Sequence, residues 1–252
     1  MNTNIDLNDT PKDIHKHLCD YIKKLTNENS ESCLLDMHKV LNSLPKNKLK
    51  RFKNSFRPEK PEEWHKNFNE WLSTTDIDKV LKQYAVADPH FYYYGATHMD
   101  FDLKSGNKCV VNSLCKFDLE EHLKQGIDKI GVVFNTDPST ESGEHWISMY
   151  IDLLGHNSNF PGIYYFDSFG KEPKDEITKL VEKIKSQCND NNIKIYYLYN
   201  DFKNQKQNSQ CGIYSIYFIK KMLEGMSFKK FLKSGLSDKK MKDLRKEFFV
   251  RL

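Results

Sequence analysis

No stretch of this 252-residue chain approaches a membrane-spanning helix, which needs roughly 20 apolar residues; no membrane partner is expected. The opening, MNTNIDLNDTPKDIHKHL, lacks an apolar core, so no secretory signal is expected. Six cysteines are present (Cys19, Cys33, Cys109, Cys115, Cys188 and Cys211), and none forms a CxxC pair. Zinc ribbons and disulfide scaffolds space theirs closely, so the expectation is a reducing compartment and mostly free thiols. The nine histidines have no cysteine or carboxylate neighbours at ligand spacing. That leaves no metal or other cofactor implied. No internal repeat is visible. Charge of one sign is also scarce. A net +4 favours acidic partners only weakly and does not by itself make a nucleic-acid binder.

What is present suffices for a core: 38% hydrophobic residues, 13% aromatic. The length fits one large domain, or one domain with an appendage. Residues 10–50 read as helical. Thr10 suits an N-cap and Pro11 a first helical position, and Ile14, Leu18, Ile22 and Leu25 recur at helical spacing. FRPEKPEEW (56–64) carries two prolines among charges and reads as a connector. The division is therefore a helical arm over 1–62 and a second domain over 63–252. NEWLSTTDIDKVLKQYA predicts a helix capped by Thr75 or Asp76. Four runs rich in β-branched and aromatic residues predict strands: 129–135, 145–152, 162–168 and 193–199. A helical period over 173–187 separates the last two. CGIYSIYFIKKMLEGM (211–226) is apolar on most faces and predicts a buried helix; SDKKMKDLRKEFFVRL predicts an amphipathic last one. Strands and helices segregate unevenly, an α+β pattern.

Chemistry gathers around Cys211, the first residue of the buried helix. Helix N-termini carry partial positive charge and unpaired N–H groups, and both favour a thiolate. Gly212 reads as a place where backbone approaches a substrate. A cysteine nucleophile needs a histidine, and that histidine needs a carboxylate or amide to orient it. His145 opens one predicted strand and Asp167 closes the next. If those strands are neighbours, both side chains emerge at one sheet end. A glutamine of NQKQNSQC can donate its amide to an oxyanion beside the Cys211 N–H. Taken singly, each residue has an ordinary explanation: core filler, strand edge, turn starter or solvated loop. The joint order is what points to a peptidase.

The order His-Trp, Asp-Ser, then Gln-x5-Cys-Gly resembles the SUMO-protease and adenovirus-protease superfamily of cysteine peptidases. FNTDPSTESGEHW, IYYFDSFGKEP and QKQNSQCGIYSIYFI are most similar to its large-DNA-virus branch, typified by the African swine fever virus polyprotein protease. The resemblance covers about residues 67–252. It implies a papain-like core of the SUMO-protease type, a central mixed sheet flanked by helices, here with an N-terminal helical arm. It implies His145 as general base, Asp167 as its orienter and Cys211 as nucleophile. Asp167 stands where the swine fever enzyme has an asparagine. Gln205 matches the oxyanion glutamine, with Gln207 and Gln210 nearby as alternatives. Trp146 and Trp71 match the two walls of a tunnel over a substrate's Gly-Gly, although Ser73-Thr74 replace the usual Asn-Asp after the second. The partner so implied is a protein or polyprotein with Gly-Gly-like sites.

The leading expectation is an endopeptidase that cuts viral structural or core polyproteins during virion maturation, in the host cytoplasm and the virion. An isopeptidase acting on ubiquitin or ubiquitin-like conjugates is the alternative within the enzyme class. A catalytically inactive binding module is the alternative outside it. KKMKDLRK (239–246) permits a weak nucleic-acid contact, though such runs are usually solvated helix faces.

Overall fold

The computed structural model describes residues 57–249, apart from the side chain of Ser105. The helical arm read over 1–62 lies outside the described residues except for its last few positions. A 3₁₀ turn, Glu62–His65, buries Trp64 edge-on against Phe68 and Phe249. The elements that follow are α1 (Thr74–Ala87), β1 (Phe91–His98), β2 (Lys104–Ser105), β3 (Lys108–Cys109), α2 (Asn112–Cys115) and α3 (Leu119–Lys124). Then come β4 (Lys129–Asn135), β5 (Trp146–Asp152), β6 (Gly162–Phe166), α4 (Asp175–Asp190) and β7 (Tyr196–Tyr199). α5 (Cys211–Leu223), α6 (Phe228–Leu232) and α7 (Asp238–Phe248) complete the order.

Five strands form one mixed sheet in the order β1-β4-β5-β6-β7. β1 with β4 and β6 with β7 are parallel; β4 with β5 and β5 with β6 are antiparallel. Period-2 alternation feeds two cores. Ile147, Met149 and Ile151 of β5 join the core under α3 and α4. Trp146 and Tyr150 face the other core, with α1, α5 and α7. Both faces are covered, so the central strands are buried from Ile130 of β4 through the whole of β5 and β6. α5 is buried on nearly every side, from Ile213 to Met222. Each large apolar side chain so buried contributes about 1.5–3 kcal/mol, which fixes its first residue against the sheet.

Two expectations are corrected and one further strand is found. The cap of α1 is Ser73, not Thr75 or Asp76. Its hydroxyl accepts from Asp76 N, and the Asp76 carboxylate takes the Ser73 N–H in return. Asp76 is therefore the third residue of a capping box rather than the cap. FYYYGATH, not read as a strand, is β1. Its alternation is broken by a register shift between Tyr93 and Ala96, where Gly95 sits at φ +100°. Asp78 of α1 repairs the break by accepting from Ala96 N and Tyr93 Oη. Finally, Cys109 and Cys115 form a disulfide, and Cys188 and Cys211 are the free thiols among the described residues. The short turn from β3 into α2 brings the two Cα atoms to 6.3 Å, a proximity that a search for CxxC spacing misses.

The capping box gives a direct test. Ser73→Ala removes the acceptor for Asp76 N and should cost about 1 kcal/mol in the denaturant midpoint. An unchanged midpoint contradicts the cap.

Candidate active site

The β5–β6 register pairs Ser148 with Phe166. The two strands are antiparallel, so the residue leading into β5 and the residue leaving β6 share one sheet end. These are His145 and Asp167. His145 Nε2 donates to Asp167 Oδ1 at 2.6 Å, and both side chains are buried. The Asp167 carboxylate is itself held. Phe169 N donates to the same Oδ1 at 2.7 Å. Asn200 clamps the Asp167 backbone, accepting from its N–H at 2.9 Å and donating to its carbonyl at 2.6 Å. The Phe169 ring lies 4.5 Å from the imidazole, centroid to centroid. The turn closes at Gly170, whose φ is +68° and where a Cβ would sit 2.4 Å from the Phe202 backbone. Only glycine meets both demands.

Cys211 is the first residue of α5 and is buried. The other imidazole nitrogen, Nδ1, is buried without a formed hydrogen bond, which leaves it as the nitrogen available to the thiol. Burial pushes the His145 imidazole down. The hydrogen bond to Asp167 and the nearby Cys211 sulfur outweigh that effect and raise it to about 9. At Gly212 a Cβ would meet Leu72 Cβ at 3.1 Å. The missing side chain admits Leu72, so the Trp71–Leu72 segment lies on the first turn of α5.

The three glutamines separate cleanly. Gln207 is exposed. Gln210 is buried, with its Oε1 taken by Arg245 Nε at 2.9 Å and its amide nitrogen donating to Ser209 Oγ at 3.1 Å. Gln205 is wholly buried, and its Oε1 accepts from Ser168 Oγ at 2.7 Å. That bond leaves the Gln205 amide nitrogen facing the Gln207 carbonyl, to which it donates. Ser168 adjoins Asp167, and its carbonyl takes the N–H groups of Asn204 and Gln205.

The tryptophans differ as well. Trp71 is 39% exposed, whereas Trp146 is 5% exposed and donates from Nε1 to Leu72 O at 2.9 Å. Both line one cleft of about 630 Å³, along with Ser73, Asn135 and Gly143. Trp146 is thus a core residue with one edge on the cleft, and truncating it would cost core packing, about 3–5 kcal/mol. Trp71 is the one of the pair that can be changed without loss of core packing.

Residues 100–252 match the Ulp1 protease family, C-terminal catalytic domain. This chain belongs to the Ulp1 protease family. The thiol-protease-like protein R355 of Acanthamoeba polyphaga mimivirus is 34% identical over 200 residues, 77% of this chain and 60% of that protein. The chain therefore spans about 60% of the length of that relative. The SUMO-1 cysteine protease S273R of African swine fever virus is 25% identical over 256 residues, covering 94% of this chain and 89% of that one. The crystal structure of the swine fever pS273R protease shares the fold, with a TM-score of 0.67 at 22% identity over 100% of this chain and 94% of the other. The mixed sheet between helices is the architecture expected from the sequence.

In this Ulp1-family chain the site also contains residues that sequence reasoning missed. Asn200 and Ser168 clamp Asp167 and Gln205. Neither has a local signature beyond the adjacency of Ser168 to Asp167. Arg245 does have one: it falls on the apolar stripe of α7, with Met241, Leu244 and Phe248.

The imidazole supplies a prediction with a definite sign. Its folded value lies above the ordinary 6.5, so its stabilisation is complete below pH 6.5 and is lost as pH rises toward about 9. In Asp167→Asn the charged partner is gone, and the His145 titration followed by NMR should move down from about 9. A titration that stays in place shows that the carboxylate is not what holds the proton.

Proposed function

We propose that the chain is a cysteine endopeptidase that cleaves viral structural or core polyproteins after Gly-Gly-like motifs during virion maturation, in the host cytoplasm and the virion. The juxtaposition of Asp167, His145 and Cys211 at one sheet end carries this reading. In the first step the Cys211 proton passes to His145 Nδ1 while Asp167 holds Nε2–H. The thiolate attacks the scissile carbonyl carbon, and the oxyanion is met by the Cys211 N–H and the Gln205 amide. The intermediate collapses to a thioester while His145 Nδ1 gives its proton to the departing amine. Water then attacks the thioester, His145 takes its proton, and the carboxyl product leaves the thiolate and imidazolium restored. Trp71 and Trp146 line one cleft, and as walls of a passage that takes backbone but not side chains they would require glycine before the cut.

The viral relatives support the viral setting. The name of the swine fever relative, a SUMO-1 cysteine protease, supports a second reading: an isopeptidase acting on ubiquitin-like conjugates. Exposed Lys239, Lys242 and Lys246 on α7 support no more than a salt-screened contact with nucleic acid.

Peptides of the form Gly-Gly-X, with ubiquitin and SUMO activity probes alongside, distinguish the two. We expect peptide cleavage by the parent and none by Cys211→Ala. Gln205→Ala should be slower by about 10²–10³-fold, the usual loss of one oxyanion donor, and Gln207→Ala near the parent. Probe capture at Cys211 without peptide cleavage favours the isopeptidase. Neither cleavage nor capture sinks both. Trp71→Ala should keep its melting temperature and accept alanine in place of glycine; a variant that keeps strict glycine selectivity removes Trp71 from the passage.

A further inference from the structure

Arg245 is among the largest fully buried side chains, at 1% exposure. A guanidinium buried on a helix stripe is costly unless every donor is used. Here the donors go almost wholly to main-chain oxygens, on two separate segments. Nη1 donates to Phe68 O at 3.0 Å and to Glu70 O at 2.7 Å, on the segment that leads into Trp71. Nε donates to Gln210 Oε1 at 2.9 Å and Nη2 to Ser209 O, on the loop that leads into Cys211. The guanidinium also lies over the Trp64 ring, 4.6 Å from its centroid. Among the described residues no carboxylate forms an ion pair with it. Burial lowers Arg245 to about 10, opposed by the charges of Cys211 and Glu70. It therefore stays positive at neutral pH, within electrostatic range of the Cys211 sulfur.

One rigid fork thus ties the two chain segments that flank the candidate scissile position. Leu72 packed on the first turn of α5 is the second tie between them. We propose that Arg245 is a positioning residue of the peptidase reaction: it sets the spacing between the Trp71 wall and the Cys211 loop, and places a buried positive charge behind the thiolate. The proposal rests on the peptidase reading above. It takes no part in bond making; it acts through Ser209, Gln210 and the Trp71 segment. A lysine offers the charge but not the fork, because a single ammonium cannot reach four acceptors on two segments. A glutamine offers neither charge nor fork.

The two functions are therefore separable in the full-length protein. Iodoacetamide alkylation at Cys211, followed by mass spectrometry at pH 6, reads the thiolate. Gly-Gly-X cleavage reads positioning. Arg245→Lys should alkylate within about threefold of the parent yet lose on the order of 10²-fold in kcat, the scale of a misplaced reacting group. Arg245→Gln should lose a similar factor in kcat and also alkylate about tenfold more slowly. Because either variant can fail to fold, Gln210→Met removes one acceptor while leaving α7 intact; it should lower kcat about tenfold when assayed below its own melting transition, which the orphaned Nε lowers. Folded Arg245 variants with parental kcat overturn the proposal, as does a parental kcat in Gln210→Met. So do variants that melt early but cleave normally below their transition. A parent that alkylates at Cys211 but cleaves no peptide defeats the peptidase reading instead. The alkylation rates of the variants still report whether Arg245 supports the thiolate.

Discussion

The antiparallel ladder between β5 and β6 is the constraint on which the candidate site depends. It places the residue entering one strand beside the residue leaving the next, and these are His145 and Asp167. A register slip of one residue would turn every side chain of β5 to the opposite face. It would exchange the Trp146 and Ile147 faces and carry His145 away from the carboxylate. The register is held by two cores, one on each side of the sheet, so a slip would cost burial on both at once.

Burial shapes the chemistry of that sheet end. Each charge placed there is costly when alone. In the proposed reactive state Asp167, His145, Cys211 and Arg245 are a carboxylate, an imidazolium, a thiolate and a guanidinium. Alternating signs make each charge the compensation of its neighbours, and exclusion of water strengthens each attraction. Asp167 and Cys211 together outweigh the burial that would discharge His145. At Arg245 burial wins part of the contest, yet the guanidinium keeps its charge because main-chain oxygens use its donors. The proposed reaction draws on that arrangement, since thiolate and imidazolium together form the reactive state.

The surrounding loops serve to hold these groups in register. Asn200 fixes the backbone at Asp167, Ser168 fixes the face of the Gln205 amide, and Gly170 lets the turn between them close against Phe202. Gly212 admits Leu72, which brings the Trp71–Leu72 segment against the first turn of α5. Adjacent residues thus divide the labour: Asp167 orients the histidine while Ser168 orients the glutamine.

Much of this was legible before any coordinates. The β-branched and aromatic residues of 129–135 and the apolar run from Cys211 specify a buried strand and a buried helix, because propensity and apolarity are local properties written into each segment. The residue types of a thiol peptidase, in their order, are equally plain. β1 was hidden because a glycine bulge breaks the alternation, and the Ser73 cap because Asp76 suits either place in a capping box. Which glutamine is held, which tryptophan is free to meet a substrate, and why an arginine lies on an apolar stripe were decided only by the tertiary structure. Those answers depend on hydrogen bonds between residues dozens to more than a hundred positions apart, such as Ser168 to Gln205, Trp146 to Leu72 and Arg245 to Glu70. Local pattern selects the face a side chain buries; only the packing of one element on another selects its partner.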